Sequence, residues 1–504
     1  MKLIKTITYQ RKISYKILFI ILSCELFLFS LFHYTSTANN DVYHQLLSTE
    51  KIIDSFDFSE IDPHPVGIPL ISSLLIYIGI DPIKSLKWIS PIIMMMIFYL
   101  LLFCLKNIEK IDALLISFFS CTHLFFLKSF NQFNAEILCL FFMLIPIFFT
   151  TKFLESQNAI NNKKYLKYLF FSSLFTILFR DAFIFIIFGC YFYILLNAYF
   201  DKSPKIYLIK IIYPFILFLI PVIYRLLNNP QSSSLEMIFT AEILIERIKL
   251  ITLTLFSAYK IIPEIVFPKL YYFDSNQAFL VVASVILAFF YTFLILNIKK
   301  RIDFDKNKYK LIIFFFFISL VYLFGISFSS GILNYKWGNL YRVSGLVIFY
   351  FGISFWTLIF EYFKNNKTLL RTSLLLIFFI SQLKFIYAIR YEYHSSKVRF
   401  LFDDHSKLNT QLIDSINNIQ NLKTLNVFNG GGWRGRNLFS LLSYNAMIKK
   451  TDPYELKSQK NIIINENLLI SSDDFELYFN KNRFLYDIYD LLNGNIKYII
   501  PYKK

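Results

Sequence analysis

The residues best equipped for chemistry lie in one polar stretch between two apolar ones. From Asn39 to Gly79 the chain carries Asp41, Glu50, Asp54, Asp57, Glu60 and Asp62 with His44 and His64, then turns through Pro63, Pro65, Gly67 and Pro69 into an apolar run. A carboxylate held there can orient an acceptor hydroxyl or take its proton. Other ionisable residues interrupt or flank apolar runs. Glu136 follows Asn131, Gln132 and Asn134; Arg180 and Asp181 break LFTILFRDAFIFII; Lys336, Tyr341 and Arg342 lie in NYKWGNLYRVSG. An arginine fork suits a phosphate because it donates two parallel hydrogen bonds. Each position also has a plainer role: a cap or loop residue for Asp41, helix N-terminal electrostatics for Glu136, a self-neutralising turn for Arg180 with Asp181, and interfacial anchoring for Lys336 to Arg342. His44 and His64 stand at no metal-ligand spacing and are read as substrate hydrogen-bonders.

Composition sets what must position these groups. Over 504 residues the chain is 56% hydrophobic with a mean hydropathy of +0.51, too apolar for a soluble globule of this size. That predicts an integral membrane protein. The net charge of +18 does not point to nucleic acid, because the Lys and Arg residues sit in short patches between apolar spans, where they set orientation. Cys24, Cys104, Cys121, Cys139 and Cys190 occur singly in apolar runs, which implies neither a disulfide framework nor a zinc site. The basic start (Lys2, Lys5, Arg11, Lys12, Lys16) before Leu18 to Phe32 reads as an uncleaved first transmembrane helix with a cytoplasmic N-terminus; a signal peptide is the competing reading.

Further spans are predicted at Trp88–Leu105, Ile111–Leu127, Ala135–Thr150, Leu166–Phe179, Ala182–Ala198, Ile206–Leu226, Gln277–Ile298, Leu311–Ser329, Leu340–Phe360 and Thr372–Ala388. The fold class is thus a polytopic α-helical membrane protein with about eleven transmembrane helices. Ile68 to Gly79 is short for a crossing and reads as a re-entrant or juxtamembrane helix. If it does not cross, every basic patch falls on the cytoplasmic side: Lys106 with Lys110, Lys152 to Lys167, Lys202 with Lys205, Lys299 to Lys310, and Lys364 to Arg371. If it does, all of them flip outward. The first arrangement puts on the outside an acidic first loop (34–67), a long loop (228–276) containing the amphipathic stretch Leu235–Tyr259, and the tail. Two domains follow: a transmembrane domain over 1–390 and a small extracytoplasmic α/β domain over 391–504, with β-like runs at Thr424–Phe428, Asn461–Asn465 and Ile496–Pro501 and helical runs at Leu408–Ile419 and Asn480–Leu492.

Asp41, followed by His64, Pro65, Val66, Gly67, Ile68 and Pro69, resembles the first outer loop of the GT-C glycosyltransferases. In that superfamily an Asp after the first transmembrane helix precedes a motif close to His-Pro-Pro-Gly-Tyr-Pro. Val66 replaces the second Pro and Ile68 the Tyr, and Asp41 has no acidic neighbour. Asn134 to Glu136, Arg180 with Asp181, and Tyr341 with Arg342 echo the family elsewhere, and within it the likeness leans toward the protein mannosyltransferase and aminoarabinose transferase group. The resemblance implies a membrane enzyme that moves a hexosyl or pentosyl unit, with inversion, from a polyprenyl phosphate carrier to an envelope lipid, glycan or protein acceptor. It would act in the plasma (inner) membrane, multi-pass, with its site on the extracytoplasmic side and in contact with membrane lipids. Asp41 and Glu136 become catalytic candidates. His64, Arg180, Lys336, Tyr341 and Arg342 become substrate-binding candidates. A divalent metal (Mg or Mn) on Asp41 and Glu136 is an open possibility within the family.

Two other classes compete. A polysaccharide flippase or transporter shares the many spans and cavity-facing cations, and an O-antigen-type polymerase shares the chemistry but uses a diphosphate-linked oligosaccharide. The run Asn429 to Asn437, NGGGWRGRN, formally fits GxGxxG at Gly430, Gly432 and Gly435; it reads as a surface turn unless a βαβ unit surrounds it.

Overall fold

A computed structural model of the chain describes residues 15–28, 67–80, 82–126, 135–156, 159–179, 183–200, 245–246, 248–253, 277–298, 306–333, 341–363, 366–376, 424–428, 455–459 and 474–478. The chain divides into two compact units. One comprises Met1–His33, Trp88–Phe130 and Ala135–Ala388, the other Tyr34–Lys87, Asn131–Asn134 and Ile389–Lys504.

The first unit is a helix bundle. Its helices are α1 (15–28), the greater part of α3 (Pro82–Cys104), α4 (Lys110–Phe126), α5 (Ala135–Glu155), α6 (Ala159–Ile177), α7 (Ile184–Phe200), α8 (Gln277–Ile298), α9 (Lys306–Leu333), α10 (Tyr341–Tyr362) and α11 (367–376); α2 (Gly67–Tyr77) belongs to the second unit. Each bundle helix overlaps a predicted span, and α8 matches its prediction end to end. The predicted span Ile206–Leu226 lies outside the described residues, as does most of Leu235–Tyr259, of which 248–253 is helical. α10 packs between α9, α4 and α8, while α7 packs against α9 and α5, and α5 against α6.

Among the described residues, the stretches Asn307–Phe328 and Gly345–Tyr362 are long and apolar enough to cross a membrane by length and composition. The sidedness of α8 says more. Val282, Val285, Ile286, Phe289, Phe293 and Leu296 form an exposed apolar stripe at helical spacing, with Phe289 74% exposed. The opposite face buries Ser284, Tyr291 and Leu294, and Tyr291 Oη shares a 2.7 Å hydrogen bond with Ser354 Oγ on α10. Ser354 in turn donates to the Ile312 carbonyl at 2.7 Å. Hydroxyls inward and large apolar side chains outward is the reverse of a water-facing helix, and it suits a lipid surround. At about 1.5 Å per residue α8 rises about 33 Å, the depth of a hydrocarbon core.

Backbone breaks are repaired between helices. Pro146 lies inside α5 and has no N–H, so the Phe142 carbonyl one turn earlier loses its helical donor. Thr176 Oγ1 on α6 lies 3.0 Å from that carbonyl and 2.7 Å from the Ser172 carbonyl of its own helix, so its hydrogen is shared between the two, and the Phe142 ring stacks on Phe179 with centroids 4.1 Å apart. A proline in a lipid-facing helix is tolerated when a neighbour's hydroxyl takes the freed group in this way.

In the second unit, α2 has 11 residues and rises only about 17 Å, roughly half a hydrocarbon core. It stops at Gly79, whose φ of 80° sets a Schellman turn: Gly79 N–H donates to Ile76 O at 2.9 Å and Ile80 N–H to Leu75 O at 2.8 Å. The same unit holds a three-stranded parallel sheet of β1 (Thr424–Phe428), β2 (Glu455–Gln459) and β3 (Asp474–Tyr478) in the order β2-β1-β3. β1 coincides with a predicted run. β2 and β3 do not: ELKSQ and DFELY are too polar to stand out as strands, and the two runs predicted instead lie outside the described residues, as do the helical runs Leu408–Ile419 and Asn480–Leu492.

Candidate functional site

Three groups of ion pairs mark one end of the bundle. Glu155, in the last turn of α5, takes Lys106 at 3.0 Å, Lys152 at 3.2 Å and the Asn107 amide at 2.7 Å. Lys308, at the start of α9, meets Glu361, near the end of α10, at 2.7 Å. Lys367, at the start of α11, bonds Glu109 at 2.6 Å and Asp112 at 2.7 Å, and Arg371 joins the same two acids. Asp112 is fully buried, so this box compensates a desolvated carboxylate with two cations. Burial alone would raise the Glu109 carboxyl, but hydrogen bonds from Lys367 and Arg371 hold it down at about 2. Burial lowers the Lys367 ammonium, and hydrogen bonds from it to Asp112 and then Glu109 outweigh that and raise it.

These pairs fix helix direction. The C-terminal ends of α5 and α10 and the N-terminal ends of α4, α9 and α11 all lie at the basic end. α1 begins there too, because its Phe19 stacks on Phe98 and meets Tyr99 at a tilt near the end of α3. α1 and α3 therefore run antiparallel, as they must if α2 does not cross between them. Patches that the charge pattern assigns to one compartment lie together at this one end of the bundle.

The opposite end receives the sequence-predicted positions. Glu136 is the second residue of α5; Tyr341 and Arg342 are the first two of α10. Phe179 and Phe183 flank Arg180 where α6 gives way to α7, and the connection from α9 to α10 contains Lys336. Asp41, His64, Arg180 and Lys336 themselves lie outside the described residues, as do the side chains of Glu136, Tyr341 and Arg342. What the backbone brings together is the set of helix ends and connections that carry them.

No protein-family model and no curated protein matches the chain. Among solved structures it is similar to ArnT from Cupriavidus metallidurans in the apo state, at 9% identity over 89% of this chain and 86% of that one, with a TM-score of 0.40. A likeness of that degree establishes neither a shared fold nor a shared activity.

The acid box at Asp112 escaped the sequence reading, although the signal was present. Asp112 sits just inside an apolar run, where a carboxylate needs a partner, and Lys367 and Arg371 precede another run at i, i+4 spacing. Among the described residues no group of three or more His, Cys, Asp or Glu side chains stands together to hold a metal, and the metal expected on Asp41 and Glu136 concerns side chains outside them. At the basic end a cleft lined by Asn107, Thr151, Glu155, Asn307 and Lys310 has room for roughly one water, too little for a substrate.

Proposed function

We propose that the chain is a membrane glycosyltransferase that moves one sugar from a polyprenyl phosphate carrier to an envelope lipid, glycan or protein acceptor at the non-basic, extracytoplasmic end of the bundle. One observation carries the reading. The helix directions start α5 and α10, whose first two residues include Glu136, Tyr341 and Arg342, at the end of the bundle opposite three groups of ion pairs, which supports a site there. The exposed apolar stripe of α8 supports a lipid surround, through which a lipid-linked donor would arrive sideways.

In this reading Asp41 accepts the proton of the acceptor hydroxyl as its oxygen attacks the anomeric carbon. The bond from that carbon to the phosphate oxygen breaks, and the electron pair leaves with the phosphate. Arg342, Lys336 and Arg180 stabilise the charge that grows there. A single displacement inverts the anomeric configuration. His64, Tyr341 and Glu136 orient the two substrates. Asp41→Asn keeps the volume and removes the base, so it should insert normally and lose at least about a hundredfold in transfer. Turnover near wild type by the purified, folded variant would remove Asp41 from the reaction.

A further inference from the structure

α6 packs along α5 and runs antiparallel to it. Tyr168 meets Phe149 with ring centroids 5.2 Å apart, and Phe175, further along α6, meets Phe142, earlier on α5, at 5.3 Å. α6 therefore begins at the basic end, where α5 finishes with Glu155. Its exposed face is a single stripe at helical spacing. Lys163, Lys164 and Lys167 start the stripe, and Tyr168, Phe171, Leu174, Phe175 and Leu178 continue it, with Phe171 55% exposed.

These three lysines differ from the cations around them. Lys106, Lys152, Lys308, Lys367 and Arg371 each bond a carboxylate. Lys163, Lys164 and Lys167 bond none among the described residues, and segment 156–167 contains no acid. Glu155, the nearest acid before them in sequence, is already occupied by Lys106, Lys152 and the Asn107 amide. Lys164 Nζ stands over the Tyr168 ring at 5.8 Å and Lys167 Nζ over the Phe171 ring at 6.0 Å, so two of the ammonium groups sit against the first rings of the apolar stripe.

The ligand that fits this face carries an anion at one end and an apolar body below it. From Tyr168 to Leu178 the stripe rises about 15 Å at about 1.5 Å per residue, half of a hydrocarbon core of about 30 Å. That is the depth of one leaflet. A soluble phosphate would use the lysines alone, and a zwitterionic lipid the stripe alone. We infer that the exposed face of α6 is a binding site for an anionic phospholipid, its phosphate taken by Lys163, Lys164 and Lys167 and an acyl chain laid along Tyr168, Phe171, Leu174 and Leu178. The inference rests on the lipid surround proposed above and not on glycosyl transfer.

The test uses the full-length protein in detergent, titrated with phosphatidylglycerol or with phosphatidylcholine of the same acyl chains, the bound lipids being counted by native mass spectrometry. Wild type should bind phosphatidylglycerol at least about tenfold more tightly, since each lysine adds attraction for an anionic headgroup. Replacing Lys163, Lys164 and Lys167 together by Gln should bring phosphatidylglycerol down to the phosphatidylcholine level, and Lys167→Gln alone should fall between. Replacing all three by Arg keeps the charge and should keep the preference. So should the charge-matched variant Lys299→Gln, Lys300→Gln, Arg301→Gln, which leaves α6 intact. A preference retained by the triple glutamine variant of α6, or lost equally in the charge-matched one, overturns the inference. A wild-type chain that stays dispersed without detergent and retains neither lipid removes the lipid surround itself, whereas one that retains both lipids equally removes this site alone.

Discussion

Arg342 is the residue at which transfer chemistry and simple anchoring make opposite predictions. A contact to a departing phosphate strengthens as the phosphate gains charge, so it acts on donor affinity and kcat together. Arg342→Lys should then retain part of the activity, having charge without the planar fork, and Arg342→Ala should lose most of it. An interfacial anchor would instead change the amount of folded protein and leave transfer per folded molecule untouched, which a donor titration on quantified folded protein reads directly. At the other end of the bundle, Glu109 links folding to acid. Its carboxyl drops from an ordinary 4.5 to about 2 in the folded chain, so its stabilising effect is present above pH 4.5 and is lost as pH falls from 4.5 toward 2. Thermal unfolding in detergent should show wild type more stable than Glu109→Gln at pH 6, with the gap reduced by pH 3 and closing only as pH falls to about 2. A gap independent of pH would mean that the Lys367 and Arg371 pairing contributes nothing.

Helix contacts yield sharper mutational contrasts. Thr176→Val keeps the shape but removes a hydroxyl shared between the Ser172 carbonyl of its own helix and the Phe142 carbonyl freed by Pro146, and should cost about 1–3 kcal/mol. Thr357→Val removes only a bond to a carbonyl of its own helix and should cost less. Where α7 crosses α9, a Cβ on Gly325 would collide with the Phe185 ring, whereas one on Gly352 would meet nothing within 4 Å. Gly325→Ala should therefore lower thermal stability by about 1–3 kcal/mol and Gly352→Ala should not; equal midpoints would contradict the crossing. Much of this scale was legible in the sequence because long apolar helices announce themselves as unbroken apolar runs, as α8 does from Gln277 to Ile298. The partners of Asp112, Thr176 and Ser354 were not, because each bond joins residues far apart in the chain. β2 and β3 were hidden for a different reason: their short polar sequences acquire strand structure only beside β1.

For the molecule as a whole, direction follows from the ion pairs. If the positive-inside rule orients the basic end toward the cytoplasm, the first loop and the tail should both face outward. Reporter fusions after Asn39 and after Lys504 should both report an outside location; a cytoplasmic tail would contradict that orientation. The candidate acids and cations were recognisable one by one from their positions beside apolar runs, and helix direction adds that Glu136, Tyr341 and Arg342 begin their helices at a common end. Glycosyl transfer itself is tested most directly in the cell envelope. Mass spectrometry of envelope lipids, glycans and proteins from cells with and without the gene should show one acceptor lighter by a single hexose or pentose when the gene is absent. The missing mass should return with the wild-type gene and not with Asp41→Asn. Identical masses in all three fractions, with the protein present and folded in the wild-type membrane, would contradict the assignment.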